Sequence, residues 1–210
     1  MSMFATLMPG VMDMATQAAM PLLAMPLDGM FEPLARHGRR ILAAQDGMYL
    51  EAFSDALYVR LRLSQHSLPY GNVSPEIVLA NGPIPRELAR QLKALSLEAH
   101  PNEMAALVLA DAAGGYSILK PEGSATHGSV SYADTGYDES KLVIDAHSHG
   151  HFGPAFSPTD DDSDRSRIGP HISLVFGHCA SREGCEIAVR VCVGRYLIPI
   201  SNAVLEGLFA

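Results

Sequence analysis

Residues 142–149 read Leu142-Val143-Ile144-Asp145-Ala146-His147-Ser148-His149, and after a loop the chain continues Ser157-Pro158-Thr159-Asp160. The first stretch is apolar enough for a buried strand. Alternate side chains of a strand share one face, so His147 and His149 are expected to point the same way at the strand's end. Ser157 suits the N-cap of a helix, and Pro158 suits its first position. The two stretches therefore predict a strand, a glycine-containing loop and a helix.

Two imidazoles and one carboxylate of this unit form a candidate metal site. Residues three positions apart in a first helical turn are neighbours, so Ser157 and Asp160 can face the same cavity as the two histidines. Two histidines and a carboxylate are a ligand set of catalytic zinc centres, which keep the fourth tetrahedral position for water. The pattern therefore predicts Zn²⁺ as cofactor. Imidazole and carboxylate also bind other divalent ions, so the sequence leaves the identity of the metal open.

The spacing His-x-His-x7-Ser-x-x-Asp, which runs from His147 to Asp160, resembles the motif of the JAMM (MPN+) zinc metalloproteases. This family includes deubiquitinases and their prokaryotic relatives. The resemblance implies that His147, His149 and Asp160 ligate zinc and that Ser157 assists the oxyanion. It further implies a hydrolase in which a glutamate takes a proton from the attacking water and passes it to the leaving amine.

The same resemblance places the glutamate upstream, in a pattern like Glu-x-x-Gly-x-Leu-x-Gly. Glu103 lies at about the right distance before the histidines and is therefore the expected general base. The two glycines of the family pattern are Ala106 and Ala110 in this chain, which is a departure from the pattern. Glu98 is the alternative base, but its position among the leucines of a predicted helix favours a surface role.

Three further polar residues lie close to the motif. Asp145 is expected on the strand face of the histidines, where it either orients an imidazole or is an ordinary polar strand residue. His151 follows Gly150 and is expected to contact solvent or substrate rather than the metal. Asp164 lies one turn beyond Asp160, in an acidic run that the helix dipole explains unless one of its carboxylates faces the metal.

The rest of the chain indicates an α+β or mixed α/β fold. The resemblance implies a JAMM (cytidine-deaminase-like) sheet flanked by helices at residues 83–210, preceded by a β-containing extension at residues 1–82. Alternating apolar residues and turn residues predict strands in both parts, and a helix with an apolar stripe is expected to begin near Pro85. The predicted strands are residues 49–53, 57–63, 77–79, 104–111, 116–120, 142–149, 172–179, 186–194 and 195–200.

The first thirty residues contain eight of the ten methionines and several prolines. Because proline breaks helices, this segment is expected to be extended, with one helical stretch near residues 12–19. It is either an arm that packs on its own domain, which we favour, or an adaptable docking surface for a partner.

The composition disfavours several classes of protein. With 15 basic and 23 acidic residues the net charge is −8, and the absence of a basic run disfavours nucleic-acid binding. No apolar stretch is long enough to predict a membrane span. No basic residue precedes Arg36, whereas a secretory signal begins with a basic region. The three cysteines do not form a disulfide framework and favour a reducing compartment, so a cytoplasmic location is expected.

The cysteines also raise the question of a second zinc site. Cys179 and Cys185 lie near His171 and His178, but their spacing matches no standard zinc finger. Because all three cysteines lie in or beside apolar strand-like runs, buried structural thiols are favoured over a metal site.

The resemblance implies cleavage of a peptide or isopeptide bond near the C-terminus of a ubiquitin-like protein. An extension followed by a JAMM module is also similar to the PRTRC group of bacterial proteins, which contains ParB-related, ThiF-related and ubiquitin-like members. A ThiF/E1-like partner is therefore expected. One alternative is a non-catalytic zinc-binding scaffold of such a multi-protein bacterial cassette. Another is a hydrolase like the DNA-linked RadC-type proteins, which have Asn rather than Ser between the histidines and which the net charge disfavours.

Overall fold

The computed structural model describes residues 11–121, 123–125, 130–132 and 136–210. Within these ranges the chain has the expected mixed α/β fold, with a five-stranded sheet, a six-stranded sheet and a two-stranded ribbon. The helices are α1 (Val11–Ala19), α2 (Arg86–Ala99), α3 (Pro158–Ser166) and α4 (Asn202–Glu206), with a 3₁₀ turn at Glu139–Lys141. The strands are β1 (Leu22–Ala24), β2 (Gly38–Ala44), β3 (Gly47–Phe53), β4 (Leu57–Gln65), β5 (Glu76–Leu79), β6 (Ala105–Ala110), β7 (Tyr116–Leu119), β8 (Gly123–Ala125), β9 (Val130–Tyr132), β10 (Leu142–Ser148), β11 (His171–Gly177), β12 (Glu186–Val193) and β13 (Tyr196–Pro199).

The N-terminal sheet has the strand order β1-β2-β3-β4-β5. The strands predicted at residues 49–53 and 57–63 form an antiparallel hairpin, β3 and β4, and the Ser54 hydroxyl in its turn accepts a hydrogen bond from the Leu57 amide at 3.1 Å. The alternation of apolar and polar residues along β4 predicts that only one face of the strand is buried. In the structure the other face is partly buried too, since Tyr58 and Arg60 are buried. Arg60 donates to the Tyr58 hydroxyl and lies over the Phe31 ring, so a polar cluster covers that second face.

Part of the methionine-rich segment packs on this sheet. Strand β1 pairs with β2 in parallel, and Met25 is buried against Leu42 and Tyr49, as expected for an arm on its own domain. The predicted helical stretch is α1. Residues 1–10 lie outside the described part of the chain. Several apolar side chains of the segment are nevertheless exposed: Met12, Met14, Leu27 and Met30.

The second sheet, in the order β13-β12-β11-β10-β6-β7, has two different faces. One face is apolar: Leu174 belongs to a buried cluster with Leu92 of α2 and Leu205 of α4. On the opposite face Asp145, Ser173 and Arg190 lie side by side in register on β10, β11 and β12. Helix α3 packs against β12 and β13 on this polar face. The predicted metal ligands lie at the end of this face.

The main buried apolar cluster joins both sheets, since it includes Leu50 and Val59 of the first and Val108, Ile144 and Val191 of the second. The division of the chain between residues 82 and 83 stays a prediction. Among the described residues, no helix combines the length and the apolar character needed to cross a membrane.

Candidate metal centre

His147, His149 and Asp160 converge at the end of β10. The Nε2 atoms of the two histidines are 3.2 Å apart, His147 Nε2 is 3.2 Å from Asp160 Oδ1, and His149 Nε2 is 3.5 Å from Asp160 Oδ2. Two ligands of a tetrahedral zinc ion with bonds near 2.0–2.1 Å are separated by about 3.3 Å. The three donor atoms therefore have the mutual spacing of one face of a zinc tetrahedron, and this donor set fits the ion.

The two histidines owe their placement to the pairing of β10 with its neighbours. His147 is in register with Val175 on β11 and with Ala105 on β6. His149 is one residue beyond the strand, and its amide still donates to the Phe176 carbonyl at 2.9 Å. The alternation predicted from the sequence thus extends one residue past β10, and both rings reach the same point.

The loop after His149 is held against the end of β11 by backbone hydrogen bonds. The amides of His178 and Cys179 donate to the carbonyls of Phe152 and Gly150, each at 2.8 Å. Gly150 has a φ of +55°, and a Cβ atom there would lie 2.6 Å from the Pro101 carbonyl oxygen. Glycine is therefore required at position 150 by both its backbone conformation and its close contact with the segment before Glu103.

Ser157 is the N-cap of α3, as the sequence predicts, and it forms a capping box with Asp160. The Ser157 hydroxyl accepts from the Asp160 amide at 3.2 Å, and the Ser157 amide donates to Asp160 Oδ2 at 2.6 Å. Because a hydroxyl also has one donor, Ser157 can cap the helix and still donate to a ligand. The cap fixes Asp160 with its Oδ1 towards His147.

The charges at this point stabilise one another. Burial raises the pKa of the Asp160 carboxyl, but hydrogen bonds from His147 and His149 outweigh that effect and hold the pKa well below its usual range. The hydrogen bond to Asp160 raises the pKa of His149 against the opposing effect of burial, and the charges of Asp160 and Glu103 add to the rise. The backbone of Gly153 also raises the pKa of His149.

Glu103 is buried and close enough to the site for its charge to act on His149. The residue after it is tied to β10 twice. The Ser148 amide donates to the Met104 carbonyl, and the Met104 amide donates to the Ser148 hydroxyl, both at 3.0 Å. Glu98, the alternative base, is exposed on α2. The structure thus brings Glu103 to the centre, while its role as the base stays a prediction.

Two of the surplus acidic residues have partners other than the predicted metal centre. The Asp145 carboxylate accepts hydrogen bonds from Nε and Nη2 of Arg167, which follows α3. Asp164 points to His171 and Arg190 rather than to the centre. The reason is that both carboxylates are buried, and arginines compensate their charge.

His151 lies at the rim, in keeping with its expected exposure. Its Nδ1 is 3.1 Å from the Nε2 of His100, and the two rings meet edge to face with centroids 4.2 Å apart. Phe152, the next residue, is 64% exposed. An imidazole pair and an exposed aromatic ring therefore border the loop that follows His149.

The cysteines are free and buried, as favoured from the sequence. Cys179 and Cys185 have their sulfur atoms 3.9 Å apart, and burial together with this neighbour raises the pKa of Cys179 to about 12. His171 does not join them; it lies with Asp164 and Cys192 in a second group of potential ligand atoms within 4.8 Å of one another. Because Arg190 already lies 2.6 Å from Asp164 Oδ2, a cation in this second group would face a guanidinium.

Sequence reasoning overlooked Ser148 and Arg190. Ser148 stands inside the motif, but its contact with Met104 depends on the pairing of β10 with β6. Arg190 has a local signal, since it is a lone arginine in the otherwise apolar run of β12. A charged residue in a buried strand indicates a buried ion pair, although the sequence does not name its partner.

The fold and this centre define a mixed α/β protein with a two-histidine, one-carboxylate group suited to a metal ion. The chain belongs to the family of prokaryotic homologs of the JAB domain, whose profile matches residues 85–190. Residues 11–80 match a domain of unknown function, DUF2016. The expected resemblance is thereby confirmed at the level of the JAB/MPN domain. No curated protein matches the sequence.

Proposed function

We propose that this chain is a zinc-dependent hydrolase of peptide or isopeptide bonds. The observation that supports it most is the spacing of the three donor atoms of His147, His149 and Asp160, 3.2–3.5 Å, beside a buried carboxylate. A ligand set alone would serve a structural ion as well. The presence of Glu103 and of the Ser157 hydroxyl next to it favours a catalytic centre over a structural one.

The side chains divide the work of hydrolysis as follows. Zinc, when bound, supplies Lewis-acid chemistry that acidifies water and polarises a carbonyl group. Glu103 accepts the proton of the attacking water on its carboxylate and then delivers it to the leaving amine. Ser157 donates a hydrogen bond from its hydroxyl to the carbonyl oxygen as negative charge develops there, a contact worth about 3 kcal/mol in comparable sites. Asp160 keeps its negative charge throughout because its pKa is held low.

The proposed substrate is the C-terminal region of a ubiquitin-like protein or of its conjugate. This choice rests on the resemblance of the motif to the JAMM family, which also supports a ThiF/E1-like partner in a bacterial cassette of the PRTRC type. The exposed Phe152 ring and the His100–His151 pair offer apolar and hydrogen-bonding contacts to an extended peptide beside the centre. The net charge of −8 disfavours nucleic acid as the substrate.

The first test is zinc stoichiometry by elemental analysis of the purified full chain, with His149→Ala beside the wild type. We expect about one zinc ion per wild-type chain and a loss in the variant. Cleavage of a fusion that carries a peptide after the C-terminus of a ubiquitin-like protein is then expected from the zinc-loaded wild type alone. A wild-type chain that folds but takes up no zinc on addition would contradict the hydrolase proposal.

A second candidate is a non-catalytic zinc-binding scaffold in the same kind of cassette. The observation that favours it is the exposure of apolar side chains in the N-terminal segment, where Met12 is 78% and Met30 92% exposed. Such residues suit contact with a partner. Zinc binding by the wild-type chain without cleavage of any fusion would favour the scaffold over the hydrolase.

A further inference from the structure

Helix α3, which carries Asp160, contains no apolar side chain apart from Pro158: its sequence is Pro-Thr-Asp-Asp-Asp-Ser-Asp-Arg-Ser. A helix on a sheet usually packs through an apolar stripe, which this helix lacks. The buried residue of α3 is instead an acid, Asp164. The position of a predicted metal ligand therefore depends on charged contacts, and the partners of Asp164 decide where the helix lies.

Arg190 of β12 supplies most of those contacts. It is 5% exposed, its Nε donates to Asp164 Oδ2 at 2.8 Å, and its Nη1 donates to Asp161 Oδ1 at 2.5 Å. Its guanidinium carbon is 3.7 Å from the centroid of the Phe156 ring, the residue immediately before the Ser157 cap. One planar group thus contacts the chain just before Ser157, just after Asp160 and one turn further on.

We propose that Arg190 is a positioning residue that sets the location of Asp160 in the metal centre. This inference rests on the proposed zinc centre. Among the described residues, Arg190 contacts neither His147 and His149 nor Asp160. Its effect on the metal centre therefore passes through the backbone of α3. Arg167 holds the other end of the helix through Asp145, on the same polar face of the sheet.

The planar shape of the guanidinium allows Arg190 to contact two carboxylates and an aromatic ring at once. A planar fork can donate to two carboxylates while its face lies on an aromatic ring, and an ammonium group cannot do all three. Lysine at this site would keep the charge and lose the fork. If α3 shifted, the three candidate ligand atoms would still be present but their spacing would change. Removing a residue that orients a metal ligand typically weakens metal binding by about 10–100-fold.

The test compares Arg190→Lys and Arg190→Met with Arg165→Gln in the full chain. Arg165 is the matched control because it also contacts Asp161, at 3.0 Å, but from the exposed side of α3. Zinc affinity is measured by competition with a chromogenic chelator, and the coordination geometry by the visible absorption of Co²⁺-loaded protein. Hydrogen exchange of the amides of residues 159–166 is measured in the metal-free chain, with circular dichroism as the check on folding.

We expect both Arg190 variants to bind zinc about tenfold or more weakly than the wild type. Their Co²⁺ spectra should change and their α3 amides should exchange faster. Arg165→Gln should match the wild type in all three measurements. If Arg190→Met does not fold, the test is decided on Arg190→Lys alone. Wild-type zinc affinity and exchange in folded Arg190 variants would overturn the inference. If the wild type binds no zinc, the proposed function fails, and the exchange of α3 still decides whether Arg190 positions the helix.

Discussion

Ser148 and Met104 are joined by two hydrogen bonds of 3.0 Å, one between their backbones and one from the Met104 amide to the Ser148 hydroxyl. Ser148 lies between the two histidines of the motif, and Met104 follows Glu103. The pair therefore sets the separation between the proposed base and the proposed metal ligands. Because Ser148 is completely buried, no water can replace its hydroxyl as the acceptor without a rearrangement.

Ser148→Ala is expected to lower the free energy of unfolding by about 1–3 kcal/mol, because the Met104 amide loses a buried acceptor. Zinc content should stay at the wild-type value while kcat for a ubiquitin-like fusion falls, since Glu103 is displaced and the ligands are not. Ser96→Ala is the control: that buried hydroxyl donates to Leu92 within α2 at 2.9 Å. Urea titration and steady-state kinetics measure the two effects, and a parallel loss in both variants would contradict the special role of Ser148.

Glu103→Gln is expected to keep zinc and to lower the rate of cleavage by about 10²–10⁴-fold, because the amide cannot accept the proton. The matched control is Glu98→Gln, at an exposed position on α2, which should cleave at the wild-type rate. Rates are compared at equal zinc content. A larger loss in Glu98→Gln than in Glu103→Gln would transfer the role of the base to Glu98.

Gly150→Ala is expected to destabilise the chain by more than Gly82→Ala. Both glycines have positive φ, +55° and +74°, so alanine is strained at each by about 1–2 kcal/mol. At Gly82 a Cβ atom meets nothing within 4 Å, whereas at Gly150 it would lie 2.6 Å from the Pro101 carbonyl oxygen. Urea unfolding of the two variants measures the difference, and equal losses would show that the contact with Pro101 relaxes freely.

The contacts of Asp164 with His171 and Arg190 are expected to make the stability of the metal-free chain sensitive to acid. Burial raises the pKa of Asp164, but the hydrogen bond from His171 and the charges of His171 and Arg190 lower it to about 2, against an ordinary value of 3.8. Cys192 also donates to this carboxylate from β12. A carboxyl with a depressed pKa in the folded state stabilises the fold above its unfolded pKa and loses that contribution as pH falls.

The contribution of Asp164 is therefore complete above about pH 5 and is lost as pH falls from about 4 to 2, with a size of about 2 kcal/mol. Urea titrations across this range measure it. Asp164→Asn should show a flatter dependence than the wild type, while Asp162→Asn, at an exposed position, should not differ from the wild type. Identical pH dependence in Asp164→Asn and the wild type would contradict this origin.

Much of the centre follows from local pattern. The alternation that places His147 and His149 on one side, and the cap formed by Ser157 and Asp160, each depend on residues within one turn or two strand positions. The extent of the strands around them was likewise predicted to within a few residues. Missing from the prediction were β1, β8, β9, α4 and the first residues of β2, which are short or rich in small and charged residues and lack clear periodicity.

The partners of Asp145 and Asp164 could not be predicted from the local sequence pattern. The strand face that Asp145 shares with the histidines leaves it either orienting an imidazole or an ordinary polar residue, and Asp164 is a candidate for the metal because it is one turn from Asp160. Arg167 and Arg190, which bind them, lie 22 and 26 residues away in the chain. Nothing in the spacing of the acidic residues indicates these arginines.

The sequence by itself determined the candidate ligand group, its cap and the elements that carry them, because alternation and capping are properties of neighbouring residues. Only the tertiary structure decided that Glu103 lies beside His149, through the pairing of β10 with β6, and that Arg190 binds α3, through the pairing of β11 with β12. The physical reason is that buried charges are compensated by whichever residues the strand order makes their neighbours, and strand order is a property of the whole chain.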